Sequence, residues 1–268
     1  MKLFFCFLMC LLFSATASTQ QKVGTPSIQN SSINDTVAAL IEEGDNYATK
    51  TFEDQKALDT FLKALKLDNN NYEILWRISR SYVTIAQHLP SITDEQKTKQ
   101  LEVYQQGLDY ANRAVKANPN GSEGYTRRAI ANGRVALFKG VWDSIDIVKQ
   151  VKADCEKAIQ LDSNNATPYY VLARAHAKLC EKPKFIRWPL GLAWANLDTA
   201  AANYEKAIAR RPNFIMFRLD AARTYVELEE YQKAKHHLYA ITSLPTEDED
   251  DPQYRKEASD LLEEIKNK

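Results

Sequence analysis

The chain has 268 residues, with 35 Lys and Arg balanced by 35 Asp and Glu, so its formal net charge is zero. This balance argues against a strongly basic nucleic-acid-binding protein. Only 8 Gly and 9 Pro occur, whereas residues with high helix propensity recur throughout, which favours an all-α fold. The four cysteines are too few for a disulfide-rich scaffold, and two of them lie within the first ten residues.

The N-terminus has the pattern of an export signal. Lys2 precedes an apolar run from Leu3 to Phe13, and small residues follow up to Ala17. We therefore expect a signal peptide over residues 1–17, and a mature chain in the periplasm or outside the cell. Residues 18–34 are rich in Gln, Ser, Thr and Asn without an apolar period, which predicts a flexible linker. The helical domain is expected over residues 35–268.

The body of the chain is repetitive. Small residues, an aromatic and a helix-ending residue recur at fixed offsets, as in Ala200, Tyr204, Ala207 and Pro212. Three further copies share this spacing and begin at Ala57-x3-Phe61, Gly107-x3-Ala111 and Val151-x3-Cys155. This pattern resembles the tetratricopeptide repeat, in which an A helix and a B helix form each unit. The resemblance implies an α-α superhelix, or solenoid, of five helix pairs.

Irregular insertions separate the copies. The capping-box pattern Thr93-Asp94-Glu95-Gln96 predicts an extended B helix that reaches Ala117. The acidic run Glu247 to Asp251 is predicted to be a solvated loop, with Asp251 as N-cap and Pro252 at the first turn of a final capping helix. The apolar insert Phe185 to Trp194 can be either a satellite cluster or a lid beside a groove.

A closer resemblance rests on the order of these segments. The stretches "LWRISRSY", "GLDYANRAVKANPNGSEGY", "CEKAIQLDSNNATPYYVLARAHAKL" and "LPTEDEDDPQYRKEASDLLEEI" are similar to the regulator of microtubule dynamics family over most of residues 40–265. Its eukaryotic members are linked to microtubules and organelle contact sites. The resemblance implies the irregular tetratricopeptide fold. The predicted export signal places the chain away from microtubules, so we leave that role open.

The sequence contains none of the common catalytic motifs, and we expect neither an enzyme nor a cofactor. His176 occupies a packed repeat position and is predicted to be a core residue. The adjacent His236 and His237 point to different sides of a helix, so no metal site is expected there. Cys155 and Cys180 can form a disulfide or remain two free thiols.

The resemblance to tetratricopeptide repeats implies which A-helix positions line the concave surface. At these positions the sequence has guanidinium, ammonium and aromatic groups, a combination that suits a carboxylate or phosphate attached to an apolar body. The predicted ligand-binding residues are Trp76, Arg80, Arg134, Tyr170, Arg174, Lys178 and Arg223. The expected ligand is an acidic protein or peptide segment, or alternatively an anionic lipid. Equally open is a structural role, in which these arginines pair with Asp45, Glu73, Glu123 and Glu227 on neighbouring units.

Overall fold

The computed structural model describes residues 26–139 and 141–268, and their side chains over residues 32–139 and 144–268. The signal peptide expected at residues 1–17 and the first part of the expected linker lie outside these residues. Within them the chain forms twelve α-helices and no strand, which confirms the all-α prediction. The helices are α1 Pro26–Asn46, α2 Asp54–Leu67, α3 Tyr72–His88, α4 Asp94–Ala117, α5 Ser122–Ala136, α6 Val141–Leu161, α7 Ala166–Cys180, α8 Lys184–Arg187, α9 Leu197–Arg210, α10 Ile215–Glu227, α11 Tyr231–Ile241 and α12 Asp251–Glu264.

The helices pair as a tetratricopeptide solenoid. The pairs are α1–α2, α3–α4, α5–α6, α7–α9 and α10–α11, and each second helix also packs on the first helix of the next pair. The first helices of successive pairs contact each other from α3 onwards, and α12 continues this row beyond α10. We call α1, α3, α5, α7, α10 and α12 the A-helix row. The predicted terminal capping helix is thus confirmed as α12.

The repeat signature forms the core. Ala57, Phe61 and Ala64 are fully buried, and the corresponding residues of the later copies are buried too. Small side chains are needed because the two helices of a pair approach closely. At Gly107 a Cβ atom would lie only 3.1 Å from Val83 Cγ2 and 3.3 Å from the Ser79 carbonyl oxygen. Burying this apolar face, at about 25 cal/mol per Å², is what holds the pairs together.

Short polar side chains set where the helices begin. Asn71 caps α3 by accepting hydrogen bonds from the backbone N–H of Glu73 and Ile74. Thr93 and Gln96 form the predicted capping box, and α4 reaches Ala117 as expected. Each such cap satisfies backbone donors that the first helical turn leaves free, which stabilises the helix by about 1 kcal/mol.

Two boundaries differ from the sequence-based expectation. Helix α1 begins at Pro26. It therefore includes residues 26–34, which the polar composition had predicted to be part of the linker. Proline suits the first helical turn because its fixed φ is helical and its missing N–H is not needed there.

Asp251 was expected to cap α12, but its Oδ2 accepts hydrogen bonds from the preceding backbone N–H groups of Glu247 and Asp248. It is fully buried and closes the acidic loop on itself.

Candidate functional site

Every residue predicted to bind a ligand lies on the A-helix row, but the residues fall into separate groups. Trp76 and Arg80 lie on α3, Arg134 lies on α5, and Arg223 lies on α10. Tyr170, Arg174 and Lys178 lie on α7. The structure brings Trp76 and Arg80 into one cluster. It brings Tyr170, Arg174 and Arg223 into another.

The first cluster is centred on the indole ring of Trp76, which is 9% exposed. Three guanidinium groups lie against the ring, with Cζ atoms 4.1 Å (Arg77), 5.4 Å (Arg80) and 5.3 Å (Arg127) from its centroid. The indole Nε1 donates a hydrogen bond to Glu73 over 3.0 Å. A ring face is electron-rich, so it stabilises neighbouring cations. We call Trp76, Arg77, Arg80 and Arg127 the Trp76 cluster.

Sequence reasoning missed two members of this cluster. Arg77 follows Trp76 directly, but the concave positions that the repeat resemblance implies selected Trp76 and Arg80 on this helix. Arg127 comes from α5 and meets the ring only because α3 and α5 are neighbours in the A-helix row. A general search for arginines near aromatic residues could have found Arg77, whereas Arg127 needs the tertiary structure.

Acidic residues balance part of this positive charge. Asp45, at the end of α1, accepts hydrogen bonds from Arg77 Nε and Arg80 Nη2, both over 2.7 Å. Arg127 pairs with Glu123 over 2.8 Å. The pairing of Arg80 with Asp45 agrees with the structural role that the sequence left open.

Hydrogen-bonding capacity nevertheless remains in the Trp76 cluster. The Nε atoms of Arg80 and Arg127 are both buried without a hydrogen-bond partner among the described residues. Burial, followed by the nearby charge of Arg127, lowers the pKa of Arg80. A buried donor without an acceptor costs about 1–3 kcal/mol. An anionic ligand that reached these donors would relieve this cost.

The second cluster is centred on Asp220 of α10. Tyr170 donates a hydrogen bond from its hydroxyl to Asp220 Oδ2 over 2.7 Å. Arg223 Nη1 donates to Asp220 Oδ1 over 2.8 Å, and Arg174 Nε lies 3.6 Å from Oδ2. Arg223 also forms a close ion pair with Glu257 of α12. The acid shared by these arginines is therefore Asp220, which was not among the four acidic partners suggested by the sequence.

Burial controls the protonation of this second cluster. Tyr170 is 4% exposed, and burial, reinforced by the charge of Asp220, raises its pKa well above the ordinary value. Tyr170 therefore remains a neutral donor to Asp220. Its ring stacks on Phe217, with centroids 4.5 Å apart, so it also belongs to the core. These contacts give the cluster a structural role that joins α7 to α10.

The remaining two predicted residues are isolated from both clusters. Arg134 Nη2 donates to Gln87 Oε1 over 2.5 Å. Lys178 is exposed and pairs with Glu181 at the end of its own helix over 2.8 Å. Of the seven predicted residues, Trp76 and Arg80 are thus the pair that the structure joins to further cationic groups.

The acidic loop before α12 is not simply solvated as predicted. Gln87 Nε2 donates to Asp250 Oδ2 over 2.7 Å, although the two residues are 163 positions apart. Since Gln87 also accepts from Arg134, one chain of hydrogen bonds links α3, α5 and the start of α12. Asp250 is thus held by side chains of α3 and α5, a contact that local sequence does not encode.

The apolar insert divides into a packed half and an exposed half. Leu192 and Ala195 are buried, and Trp194 lies edge-on to His176 with centroids 4.8 Å apart. In contrast, Phe185 and Trp188 are 76% and 73% exposed. The satellite-cluster interpretation therefore fits the packed half, and the lid remains a prediction for the exposed half.

His176 and the two described cysteines pack within the fold. His176 is buried, and its Nδ1 accepts a hydrogen bond from the backbone N–H of Asn196 over 3.2 Å. Cys155 and Cys180 are both free thiols, which resolves the alternative left open by the sequence. Burial raises the pKa of both thiols, so neither is an activated nucleophile.

No helix in the described part of the chain combines the length and the apolar character needed to cross a bilayer. This finding concerns residues 26–139 and 141–268.

A family model and individual relatives of known name indicate the same protein family. The family model described as Regulator of microtubule dynamics protein 1-3 matches residues 40–266. Regulator of microtubule dynamics protein 1 of Mus musculus is 30% identical over 201 residues, which are 73% of this chain and 65% of the mouse protein. The Pongo abelii protein of the same name is 28% identical over 240 residues, 87% of this chain and 74% of that protein. The chain spans about two thirds of the length of the mouse relative.

Solved structures agree on the fold. TTC0263, a thermophilic TPR protein of Thermus thermophilus, superposes with a TM-score of 0.62 at 17% identity and covers 84% of this chain and 99% of its own. PilF of Pseudomonas aeruginosa superposes with a TM-score of 0.54 at 11% identity, covering 87% and 93%. At such low identities the likeness establishes the tetratricopeptide fold and nothing about ligands.

Proposed function

The chain belongs to the regulator of microtubule dynamics family, and from this premise we propose that it is a non-enzymatic binding protein that holds an acidic protein or peptide segment on its A-helix row. The anchor is the Trp76 cluster. A preformed wall of helices limits the conformational entropy lost when such a segment binds.

The observation that carries the proposal is the hydrogen-bonding capacity of Arg80 and Arg127. Their Nε atoms are buried without acceptors in the described part of the chain, beside an aromatic ring. A carboxylate accepts such donors with charge-assisted hydrogen bonds, and the indole provides apolar contact for the adjoining side chain. Trp and Arg are also the residue types that most often dominate binding energy at protein interfaces.

A peptide titration tests this function. The probe is a fluorescein-labelled peptide that alternates Glu and Leu, and its Lys–Leu counterpart serves as the charge control. We expect the acidic peptide to bind and its anisotropy signal to weaken with salt. In Arg80→Gln/Arg127→Gln, affinity should fall at least tenfold while the far-ultraviolet circular dichroism remains unchanged, because Asp45 keeps its bond to Arg77.

A matched control uses an arginine outside the cluster. Arg113 donates to the Asn69 carbonyl oxygen and lies over the Tyr110 ring, so it has a similar setting without Trp76. Arg113→Gln should bind the acidic peptide as the wild type does. Equal affinity of the folded double variant and the wild type would exclude the Trp76 cluster as the anchor.

An anionic lipid is the weaker candidate. A lipid carrier needs an apolar cavity inside the superhelix. The concave positions on α7 and α10 are instead occupied by the ion pairs of Asp220. Native mass spectrometry of the purified chain addresses this alternative, since a stoichiometric lipid adduct would favour the carrier.

Export is a separate proposal that rests on the sequence of residues 1–17. N-terminal sequencing of the protein from its native host provides the test. A mature chain that begins at Ser18 supports export to the periplasm or the exterior, and a retained Met1 together with an intracellular location contradicts it.

A further inference from the structure

A third cluster of ionisable side chains lies where the acidic loop meets the first two helix pairs of the solenoid. His88 is the last residue of α3, Asp54 is the first residue of α2, and Glu249 belongs to the loop before α12. His88 Nδ1 lies 3.9 Å from Asp54 Oδ2 and 3.7 Å from Glu249 Oε2. One donor atom from each residue lies within 4.8 Å of the other two.

The orientation of His88 is set from its other side. Its Nε2 lies 3.3 Å from Asp250 Oδ1. Asp250 is itself held by Gln87 and by the Tyr254 hydroxyl, at 2.7 Å and 3.3 Å from its Oδ2. A proton on Nε2 that is donated to Asp250 leaves the Nδ1 lone pair facing Asp54 and Glu249. Histidines that bind metals commonly donate their second N–H to a carboxylate in this way.

The charge around this lone pair is largely negative. Asp54 and Glu249 lie on the Nδ1 side of the imidazole ring, and Asp250 lies on its Nε2 side. The neighbouring arginines are already engaged, Arg80 with Asp45 and Arg134 with Gln87. Within residues 32–139 and 144–268, neither Asp54 nor Glu249 forms an ion pair with a lysine or arginine. Two carboxylates and an imidazole nitrogen thus converge there, which is the situation that a bound cation relieves.

We propose that His88 Nδ1, Asp54 and Glu249 bind one divalent transition-metal ion, with Zn²⁺ as the preferred ion and Asp250 as the group that orients His88. One imidazole nitrogen and two carboxylate oxygens form a mixed donor set that Zn²⁺ accepts, with water as a fourth ligand. Tetrahedral Zn²⁺ places its ligands about 3.4 Å apart, given bonds of about 2.1 Å. The separations of 3.7 Å and 3.9 Å from His88 Nδ1 require only a small contraction, and the donor atoms of the two carboxylates lie within 4.8 Å of each other.

The position of the site gives it a consequence for the fold. Its ligands come from α2, α3 and the loop before α12, and His88 and Glu249 are separated by most of the repeat domain. A metal ion here joins the two ends of the solenoid. Because the unfolded chain does not assemble these ligands, binding stabilises the folded state by mass action. This role does not rest on the proposed binding of a peptide.

Metal titration of the full chain tests the proposal. After treatment with EDTA and removal of the chelator, ZnCl₂ is titrated by isothermal calorimetry at pH 7.5, and thermal unfolding is recorded with and without Zn²⁺. We expect saturable binding of one Zn²⁺ per chain and a higher Tm. His88→Gln and Glu249→Gln should each lower the affinity at least tenfold, and Asp250→Asn should lower it by a smaller factor.

His236→Gln is the matched control, because His236 is an exposed histidine on α11, away from the site. It should bind Zn²⁺ as the wild type does. Glu249 is 45% exposed at its side chain, so Glu249→Gln provides a ligand variant that should fold normally even if His88→Gln is destabilised. The proposal is overturned if the wild type shows no saturable binding, or if folded Glu249→Gln retains both the affinity and the rise in Tm.

Discussion

Tyr170 on α7 donates a 2.7 Å hydrogen bond to Asp220 on α10, and this buried contact joins two successive helices of the A-helix row. The two residues are 50 positions apart in sequence. Asp220 keeps a second partner in Arg223, so the carboxylate is held from both sides. The row is therefore linked by polar contacts in addition to apolar packing.

Tyr170→Phe should remove this link without creating a cavity. A hydrogen bond to a charged group contributes about 1.5–3 kcal/mol, so we expect the free energy of unfolding in urea to fall by about that amount. Tyr125→Phe is the control, since the Tyr125 hydroxyl donates to the Pro119 carbonyl oxygen at the exposed surface. It should change stability by less than about 0.5 kcal/mol. Equal effects of the two variants would mean that the Asp220 contact is not stabilising.

Gly44 and Gly133 should respond in opposite directions to alanine. A Cβ atom at Gly44 would lie 2.4 Å from the ring of fully buried Phe61, so Gly44→Ala should destabilise the fold by about 1–3 kcal/mol. At Gly133, inside α5, a Cβ atom would meet nothing within 4 Å. Gly133→Ala should stabilise the chain by about 0.5–1 kcal/mol through helix propensity. Chemical denaturation of both variants gives the sign directly, and a neutral Gly44→Ala would contradict the close packing of α1 on α2.

His176 should make folding stability depend on pH. Burial lowers its pKa to about 4, whereas the unfolded value is about 6.5. The neutral ring is favoured in the folded state, so its contribution is fully present above about pH 6.5. It is lost as the pH falls towards 4, by up to about 3 kcal/mol.

Replacement of this histidine isolates its contribution from that of other titrating groups. In His176→Gln the free energy of unfolding should fall less steeply between pH 6.5 and pH 4 than in the wild type. Glutamine can still accept the Asn196 N–H hydrogen bond that His176 accepts. Parallel pH profiles for the two proteins would show that His176 does not titrate as its burial predicts.

Arg187 should control the order of the apolar insert. It is 7% exposed and donates hydrogen bonds to three backbone carbonyl oxygens, at Lys182, Leu192 and Ala195. In Arg187→Ala these carbonyls lose their partner, so trypsin should cut after exposed Lys184 several-fold faster than in the wild type. Arg113→Ala serves as the control and should leave that rate unchanged. An unaltered rate at Lys184 in Arg187→Ala would show that the insert is held by its apolar contacts alone.

Local patterns were sufficient to predict the repeat, because its signals act within one helix or one turn. The spacing of Ala200, Tyr204 and Ala207 places them on one helix face, and all three are buried. The capping box at Thr93 involves residues three positions apart and formed as expected. The prediction that Asp251 caps α12 was wrong, because its carboxylate accepts hydrogen bonds from the backbone of the preceding loop instead.

The candidate site was predicted only in part for a related reason. The repeat pattern identified Trp76 and Arg80, since the position of a residue within a helix decides which face of the helix its side chain lies on. It could not identify Arg127 or Asp220 as partners, because these contacts depend on how far each helix is displaced along its neighbour. That displacement is set by the bulk of the buried side chains in both helices together.

The amino-acid sequence alone determined the helical repeat, the helix pairing and the extended fourth helix, since periodicity and caps operate over a few residues. Tertiary structure alone decided which charges meet. Arg127 reaches Trp76 because α3 and α5 are neighbours in the A-helix row. Asp250 reaches Gln87 and His88 because the rotation accumulated along the solenoid brings distant segments together. Small rotations between units add up along a solenoid, so the position of its last helix depends on every interface before it.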